Sequence, residues 1–221
     1  MKLKLVEWTG RALRKAGSEI LRRGGIHGTW IDVGAHHGEV TLEYALHNPA
    51  LRIYAFEPNL HAAAKLFGLL PNYVVIPMAV AERDGCAEFH LNAFEGSSSL
   101  LRLDQEAVKS WVRGELLREE STITVPTIRL DTFMQMVGIA RVDFLKIDAQ
   151  GADLAVIKSA GDRIRDITKI LLEVSITPVP VYVNSPSKEQ VVAFLKSAGF
   201  SLINVERQSC DQEENLTFAR S

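Results

Sequence analysis

Three carboxylates beside small or turn-forming residues set out the chemistry open to this sequence. The first, Asp32, leads the stretch Ile31-Asp32-Val33-Gly34-Ala35-His36-His37-Gly38. Gly34, Ala35 and Gly38 let the backbone approach a bound nucleoside closely, and a helix opening directly after them would offer free amides and a positive dipole end. A dinucleotide site usually carries a third close-packing glycine and binds a pyrophosphate. Here the spacing is Gly-x-x-x-Gly behind an acid. A carboxylate at that point repels pyrophosphate and attracts an ammonium group, which favours S-adenosylmethionine over a nicotinamide dinucleotide as the expected cofactor. His36 and His37 keep two readings: contact with cofactor or substrate, or, for His37, a helix-start position.

Glu57 closes Tyr54-Ala55-Phe56-Glu57-Pro58, about twenty residues past the glycine loop. Its two oxygens can accept both hydroxyls of a ribose, and Pro58 fixes the turn that follows. Asp148 ends the apolar run Phe144-Leu145-Lys146-Ile147, at the strand end where open parallel sheets bind ligands. Alternation turns Lys146 to the same face, where it either pairs with a carboxylate or joins the chemistry. Glu173, at the end of the next strand, completes the catalytic candidates Asp148, Lys146 and Glu173. A protonated alcohol is a poor nucleophile, so a nearby carboxylate or histidine acting as base is expected. A second version assigns Asp148 and Glu173 to Mg²⁺, which would acidify a coordinated hydroxyl. No third ligand supports it, and the expected site set contains no metal residue. Gly151 allows a tight turn, and Asp153 belongs either to the site or to the start of the next helix. Ser98, Gln150 and Tyr182 are the acceptor-binding candidates, with Trp111 as a further wall residue.

These groups need a scaffold that brings strand ends together. From Thr29 onward, short apolar runs alternate with helical patterns, as in a parallel sheet covered by helices on both faces. Expected strands are Thr29–Val33, Arg52–Phe56, Tyr73–Met78, Val142–Ile147 and Ile167–Val174. Expected helices are Glu39–His47, Leu60–Leu69 and Leu154–Ala160. An excursion at about 81–133 carries strand-like pieces at Cys86–Leu91 and Thr122–Thr127 around a helix at Asp104–Glu119. A helix at Ser187–Ala198 and two antiparallel strands, Phe200–Glu206 and Asn215–Arg220, close the domain. The division is thus a 1–28 segment, a basic amphipathic helix with its apolar positions between Leu3 and Leu21, followed by one domain over 29–221.

Composition narrows the partners. With 221 residues, 47% hydrophobic and 24% charged, the chain has material for one core of ordinary size. A net charge of −2 gives no general attraction to a polyanion, so nucleic acid is not an expected partner. The 2 cysteines, Cys86 and Cys210, have no metal or redox spacing, which suits a reducing compartment. No apolar run reaches the ~18 residues of a spanning helix, and the expected location is the cytoplasm. The basic N-terminal segment is the one feature suited to a membrane surface, a use ranked below packing on the core.

Taken together, Ile31-Asp32-Val33-Gly34-Ala35, Phe56-Glu57-Pro58, Leu130-Asp131-Thr132-Phe133 and Leu145-Lys146-Ile147-Asp148-Ala149-Gln150-Gly151-Ala152-Asp153 resemble the FkbM family of methyltransferases over roughly residues 29–174. The resemblance implies a class I, Rossmann-like methyltransferase fold: a doubly wound, mostly parallel seven-stranded α/β sheet with an antiparallel C-terminal strand. It also implies S-adenosylmethionine as cofactor and methylation of a hydroxyl on a sugar, polyketide or other small natural product. The cofactor set is then Asp32, Gly34, Ala35, His36, Gly38, Glu57, Pro58, Ala79 and Asp148. The sequence departs from the family at His36-His37, where an asparagine and a small apolar residue are common, and at Asp153, where glutamate is. Two other readings are a noncatalytic nucleoside-binding or partner-docking protein on this fold and, less favoured, an NAD-dependent oxidoreductase.

Overall fold

The computed structural model describes residues 25–221. The helix expected between Leu3 and Leu21 lies outside the described residues. Seven strands form one sheet: β1 (Gly28–Val33), β2 (Leu51–Phe56), β3 (Tyr73–Ile76), β7 (Phe144–Ile147), β8 (Lys169–Ser175), β9 (Phe200–Gln208) and β10 (Glu213–Arg220), in the spatial order β3-β2-β1-β7-β8-β10-β9. The pairs β3·β2, β2·β1, β1·β7 and β7·β8 are parallel, while β10 runs antiparallel to both of its neighbours. This is the doubly wound sheet with a reversed last strand that the family resemblance implied.

Both faces of the sheet are buried, and side-chain alternation divides them. Along β2, Leu51, Ile53 and Ala55 pack with Tyr73 and Leu66 on one side. Tyr54 and Phe56 turn the other way, toward Phe133, Leu145 and Leu172. The strand order reverses between β1 and β7, which opens a crevice at their carboxyl ends. Close approach there depends on Gly34: a Cβ on it would stand 2.0 Å from the Asp148 carbonyl oxygen.

The excursion folds into a second sheet of β4 (Ala79–Val80), β5 (Gly85–Asn92) and β6 (Glu119–Ile128), in the order β4-β6-β5. The helices are α1 (Leu42–His47), α2 (Leu60–Ala64), α3 (Gln105–Ser110), α4 (Leu130–Val137), α5 (Asp153–Lys158) and α6 (Lys188–Ser197). Four differ from the sequence expectation. α1 begins at Leu42 rather than Glu39, because His36 (φ 48°) and Gly38 (φ 75°) hold the preceding residues in turns. The glycine loop is therefore a turn and not a helix N-terminus. α2 stops at Ala64, and turns lead from it to Gly68 at φ 74°. α3 is capped by Asp104, which accepts the backbone N–H groups of Glu106 and Ala107, but it ends at Ser110. The chain then folds back so tightly that a Cβ on Gly114 would meet the Val108 carbonyl at 1.8 Å. α4 was not anticipated; it buries Leu130, Phe133 and Met134 at helical spacing and stops at Gly138 in the left-handed region.

Candidate active site

The first carboxylate of the sequence reading has an internal partner. Asp32 is 1% exposed. Its Oδ2 accepts the Thr41 hydroxyl at 2.5 Å, and its Oδ1 lies 3.0 Å from Lys146 Nζ. The register that sets Asp32 opposite Lys146 across β1 and β7 places the two charges together. Lys146 also donates to the Gly34 carbonyl at 2.6 Å and lies 3.8 Å from Asp148 Oδ2. Burial alone would favour the neutral amine, but Asp32 and Asp148 hold Lys146 protonated, above the ordinary lysine value.

Two expectations are corrected here. Asp32 does not line the cavity and has no free charge for a cofactor ammonium. Lys146 reaches the cavity wall, but as a cation locked between acids it cannot serve as a base.

Glu57 stands beside the cavity, 5% exposed. Its Oε2 accepts the His36 backbone N–H at 2.7 Å, and its Oε1 accepts that of Asn59 at 2.8 Å. Each oxygen keeps a lone pair, so the pair of hydroxyls on a ribose fits this carboxylate. Burial raises its pKa, and the two N–H donors oppose that rise. Gly34 and Ala35 both donate their N–H groups to the Phe56 carbonyl, which fixes the loop against the end of β2.

Asp148 emerges at the cavity after β7. Its Oδ1 accepts from Gln150 Nε2 at 2.6 Å, and Gln150 Oε1 accepts from the Tyr182 hydroxyl at 2.8 Å. Gln150 reaches back because its backbone is left-handed (φ 51°), and Ser99 holds its carbonyl through a hydroxyl at 2.8 Å. Asp153 is buried beneath this turn, accepting the backbone N–H of Gly151 at 3.1 Å, and burial with the charge of Asp148 pushes its pKa up to about 7. It braces the loop.

Beyond Tyr182 the cavity gathers acids with little compensation. Glu173 on β8 accepts only a long contact of 3.4 Å from Gln208 Nε2. Burial raises its pKa well above the ordinary value, and Glu213 and Asp148 raise it further. Glu213 on β10 is pushed up to about 7, mainly by burial. Glu213, Gln208 and Asn215 all line the cavity, and the sequence reading missed them. The signal for Glu213 and Asn215 was the polar alternation Glu213, Asn215, Thr217 on a buried strand, which puts them on one face; Gln208, on β9, belongs to no such pattern.

The cavity holds about 230 Å³ and runs from Pro58 and Ala79 at one end to Glu173 at the other. It brings together Gly34, Ala35, His36, Glu57, Ala79, Ser98, Asp148, Gln150, Glu173 and Tyr182, with Trp111 also in its wall. Gly38 is outside it, buried against Leu42 and Leu66. The Ser98 hydroxyl accepts the Asn92 backbone N–H at 3.1 Å, which leaves its proton free to donate. The Mg²⁺ version gains nothing: among the described residues, Asp148 and Glu173 belong to no group of three metal-ligating side chains.

Comparison with known proteins identifies the family and the fold. The family model for the methyltransferase FkbM domain matches residues 32–202. A curated relative, 2-O-methyltransferase NoeI of Sinorhizobium fredii (strain NBRC 101917 / NGR234), is 25% identical over 154 residues, covering 66% of this chain and 62% of that protein. The matched stretch is thus less than two thirds of the relative's length. Among solved structures, magnesium protoporphyrin IX methyltransferase (ChlM) from Synechocystis PCC 6803 with bound SAM superposes at a TM-score of 0.54, with 10% identity, over 96% of this chain and 79% of that one. Aeropyrum pernix fibrillarin in complex with S-adenosyl-L-methionine gives 0.51 at 13% identity, over 95% and 76%. These superpositions establish a shared Rossmann-like fold.

Proposed function

The chain belongs to the methyltransferase FkbM domain family, and from that premise we propose that it methylates a hydroxyl of a small acceptor such as a sugar, a polyketide or another natural product. The observation that carries the reading is one cavity with two unlike ends. At one end Glu57 presents two oxygens with free lone pairs; at the other, Glu173 and Glu213 are half-buried carboxyls with raised pKa values. The 2-O-methyltransferase among the relatives supports oxygen as the atom methylated.

Bound in the cavity, S-adenosylmethionine would supply the methyl group for an acceptor oxygen from its positively charged sulfur and leave as S-adenosylhomocysteine. Glu57 would hold its ribose, with Gly34, Ala35, His36, Pro58 and Ala79 forming the surrounding wall. Asp148, fixed by Gln150, would offer a carboxylate oxygen to a positively charged group of that ligand. Glu173 would take the proton of the acceptor hydroxyl. Tyr182, Gln150 and Ser98 orient the acceptor, and positioning supplies much of the acceleration. Burial, with Glu213 and Asp148 nearby, raises the Glu173 pKa, which makes its carboxylate a stronger base than an ordinary glutamate.

Two measurements test the reading. S-adenosylhomocysteine raises the melting temperature and NAD does not. Methyl label from S-adenosylmethionine appears on a hydroxylated acceptor and survives base treatment, as an ether does and an ester does not. Stabilisation by NAD, or no stabilisation by S-adenosylhomocysteine at saturation, would overturn the assignment.

A further inference from the structure

His37 and Glu95 have no role in the function proposed above, where His36 serves only as cavity wall, and the surroundings of the two histidines have the anatomy of a metal site. His36 Nε2 lies 3.4 Å and His37 Nε2 3.1 Å from the same oxygen, Glu95 Oε2. One ligand atom from each of the three residues falls within 4.8 Å of the other two. The His36 and His37 rings are 3.8 Å apart at their centroids. Burial leaves His36 Nε2, the ring nitrogen that faces Glu95, without a hydrogen-bond partner, an arrangement that costs stability unless a ligand uses it.

The remaining polar atoms of the cluster are held in place. His36 Nδ1 sits 2.7 Å from Glu39 Oε1, and the other Glu39 oxygen accepts the His37 backbone N–H at 3.1 Å. A carboxylate on one imidazole nitrogen fixes the ring and directs the second nitrogen outward, the usual support of a metal-binding histidine. Glu95 Oε1 is held by Asn59 Nδ2 and His61 Nδ1, each at 3.1 Å, which leaves Oε2 facing the histidines. Lys65 Nζ approaches His37 Nε2 at 3.5 Å, but its side chain is exposed and can move into solvent.

We propose that His36, His37 and Glu95 bind one divalent transition-metal ion of the zinc class, tying the turn Glu95–Ser97 to the glycine loop across the mouth of the cavity. Two imidazoles and one carboxylate suit zinc and its first-row neighbours and leave a coordination position for water. Mg²⁺, which prefers oxygen ligands alone, is not the expected occupant. The proposal stands apart from the methyl-transfer reading, since that reading uses neither His37 nor Glu95 and gives His36 no part in the chemistry.

Co²⁺, an optical stand-in for Zn²⁺, tests it on untagged, chelator-treated protein. Visible ligand-field absorption is expected to saturate at one ion per chain and to disappear when Zn²⁺ displaces Co²⁺. His37→Ala and Glu95→Gln each abolish the absorption while the far-ultraviolet circular dichroism is retained. Glu39→Gln keeps all three ligands and weakens Co²⁺ binding ~10–100-fold. Lys65→Met binds at least as tightly as the parent. Absence of absorption at stoichiometric Co²⁺, or the same absorption in His37→Ala and Glu95→Gln, overturns the proposal, whatever the enzyme assay reports.

Discussion

Two strand pairs bring carboxylates to the same edge of the sheet and treat the charge in opposite ways. Across β1 and β7, Asp32 is buried against Lys146, with Thr41 on its other oxygen. Across β8 and β10, Glu173 and Glu213 are half-buried with no comparable cation, and both resist ionisation. A compensated buried charge fixes geometry. An uncompensated one stays within reach of its proton at working pH, and such groups gather where chemistry is done. The first pair therefore reads as scaffold and the second as the reacting end of the cavity.

Exchanging the reactive carboxyl for its amide is the largest expected loss. Glu173→Gln should lower turnover ~10²–10⁴-fold, the usual contribution of a general base, and leave S-adenosylhomocysteine affinity unchanged. Wild-type turnover in this variant would remove Glu173 as the base and erase the contrast between the two seams. The scaffold should answer in stability. Lys146→Met leaves Asp32 buried without its partner and should cost ~3–5 kcal/mol in urea unfolding. Adding Asp32→Asn should restore much of that loss, since the unpaired charge goes with it; a double variant no better than the single would show that packing, not charge, sets the cost.

Glu57 lies between these extremes, a buried acid held by two backbone N–H groups and open to ligand. Hydrogen bonds to a charged group contribute ~1.5–3 kcal/mol each. Glu57→Ala should accordingly weaken S-adenosylhomocysteine binding by at least ~10-fold in calorimetry, with a smaller effect on folding than Lys146→Met. Unchanged affinity would take the ribose role away from Glu57.

The contrast also explains what the sequence revealed. Short apolar runs exposed the parallel strands of the large sheet, because strands buried on both faces read as near-continuous hydrophobic stretches. Strand-end position exposed Glu57 and Asp148, which need only their own segment to be recognised. The pairing of Asp32 with Lys146 was not legible, because it depends on the register of two strands 114 residues apart at Asp32 and Lys146. Asp32 had looked like the discriminating charge for a cofactor, and its neutralisation by a neighbouring strand cancels that inference. Glu213 escaped for a related reason: the polar alternation on its strand names no chemistry by itself, and only the antiparallel return of β10 carries it to Glu173's side of the cavity. Local turn geometry defeated the helix boundaries, since left-handed His36 and the fold-back at Gly114 follow from contacts rather than propensity.

The smallest expected effect is also the most direct reading of the uncompensated pair. Glu213 titrates near 4.5 when unfolded and about 7 when folded, so between those values the folded chain holds the extra proton. Stability contributed by this proton is complete below pH ~4.5 and is lost as the pH rises through about 7. Glu213→Gln cannot ionise and should flatten that part of the curve, narrowing the difference in melting temperature between pH 5 and pH 8, both test conditions chosen at about the edges of the window. Glu173, raised by the same burial, should retain part of the slope, and Glu173→Gln/Glu213→Gln should remove more of it. Asp32→Asn, by contrast, removes a paired charge and should not reproduce the flattening. If it does, the two seams share one electrostatic field and the division between scaffold and reacting end fails.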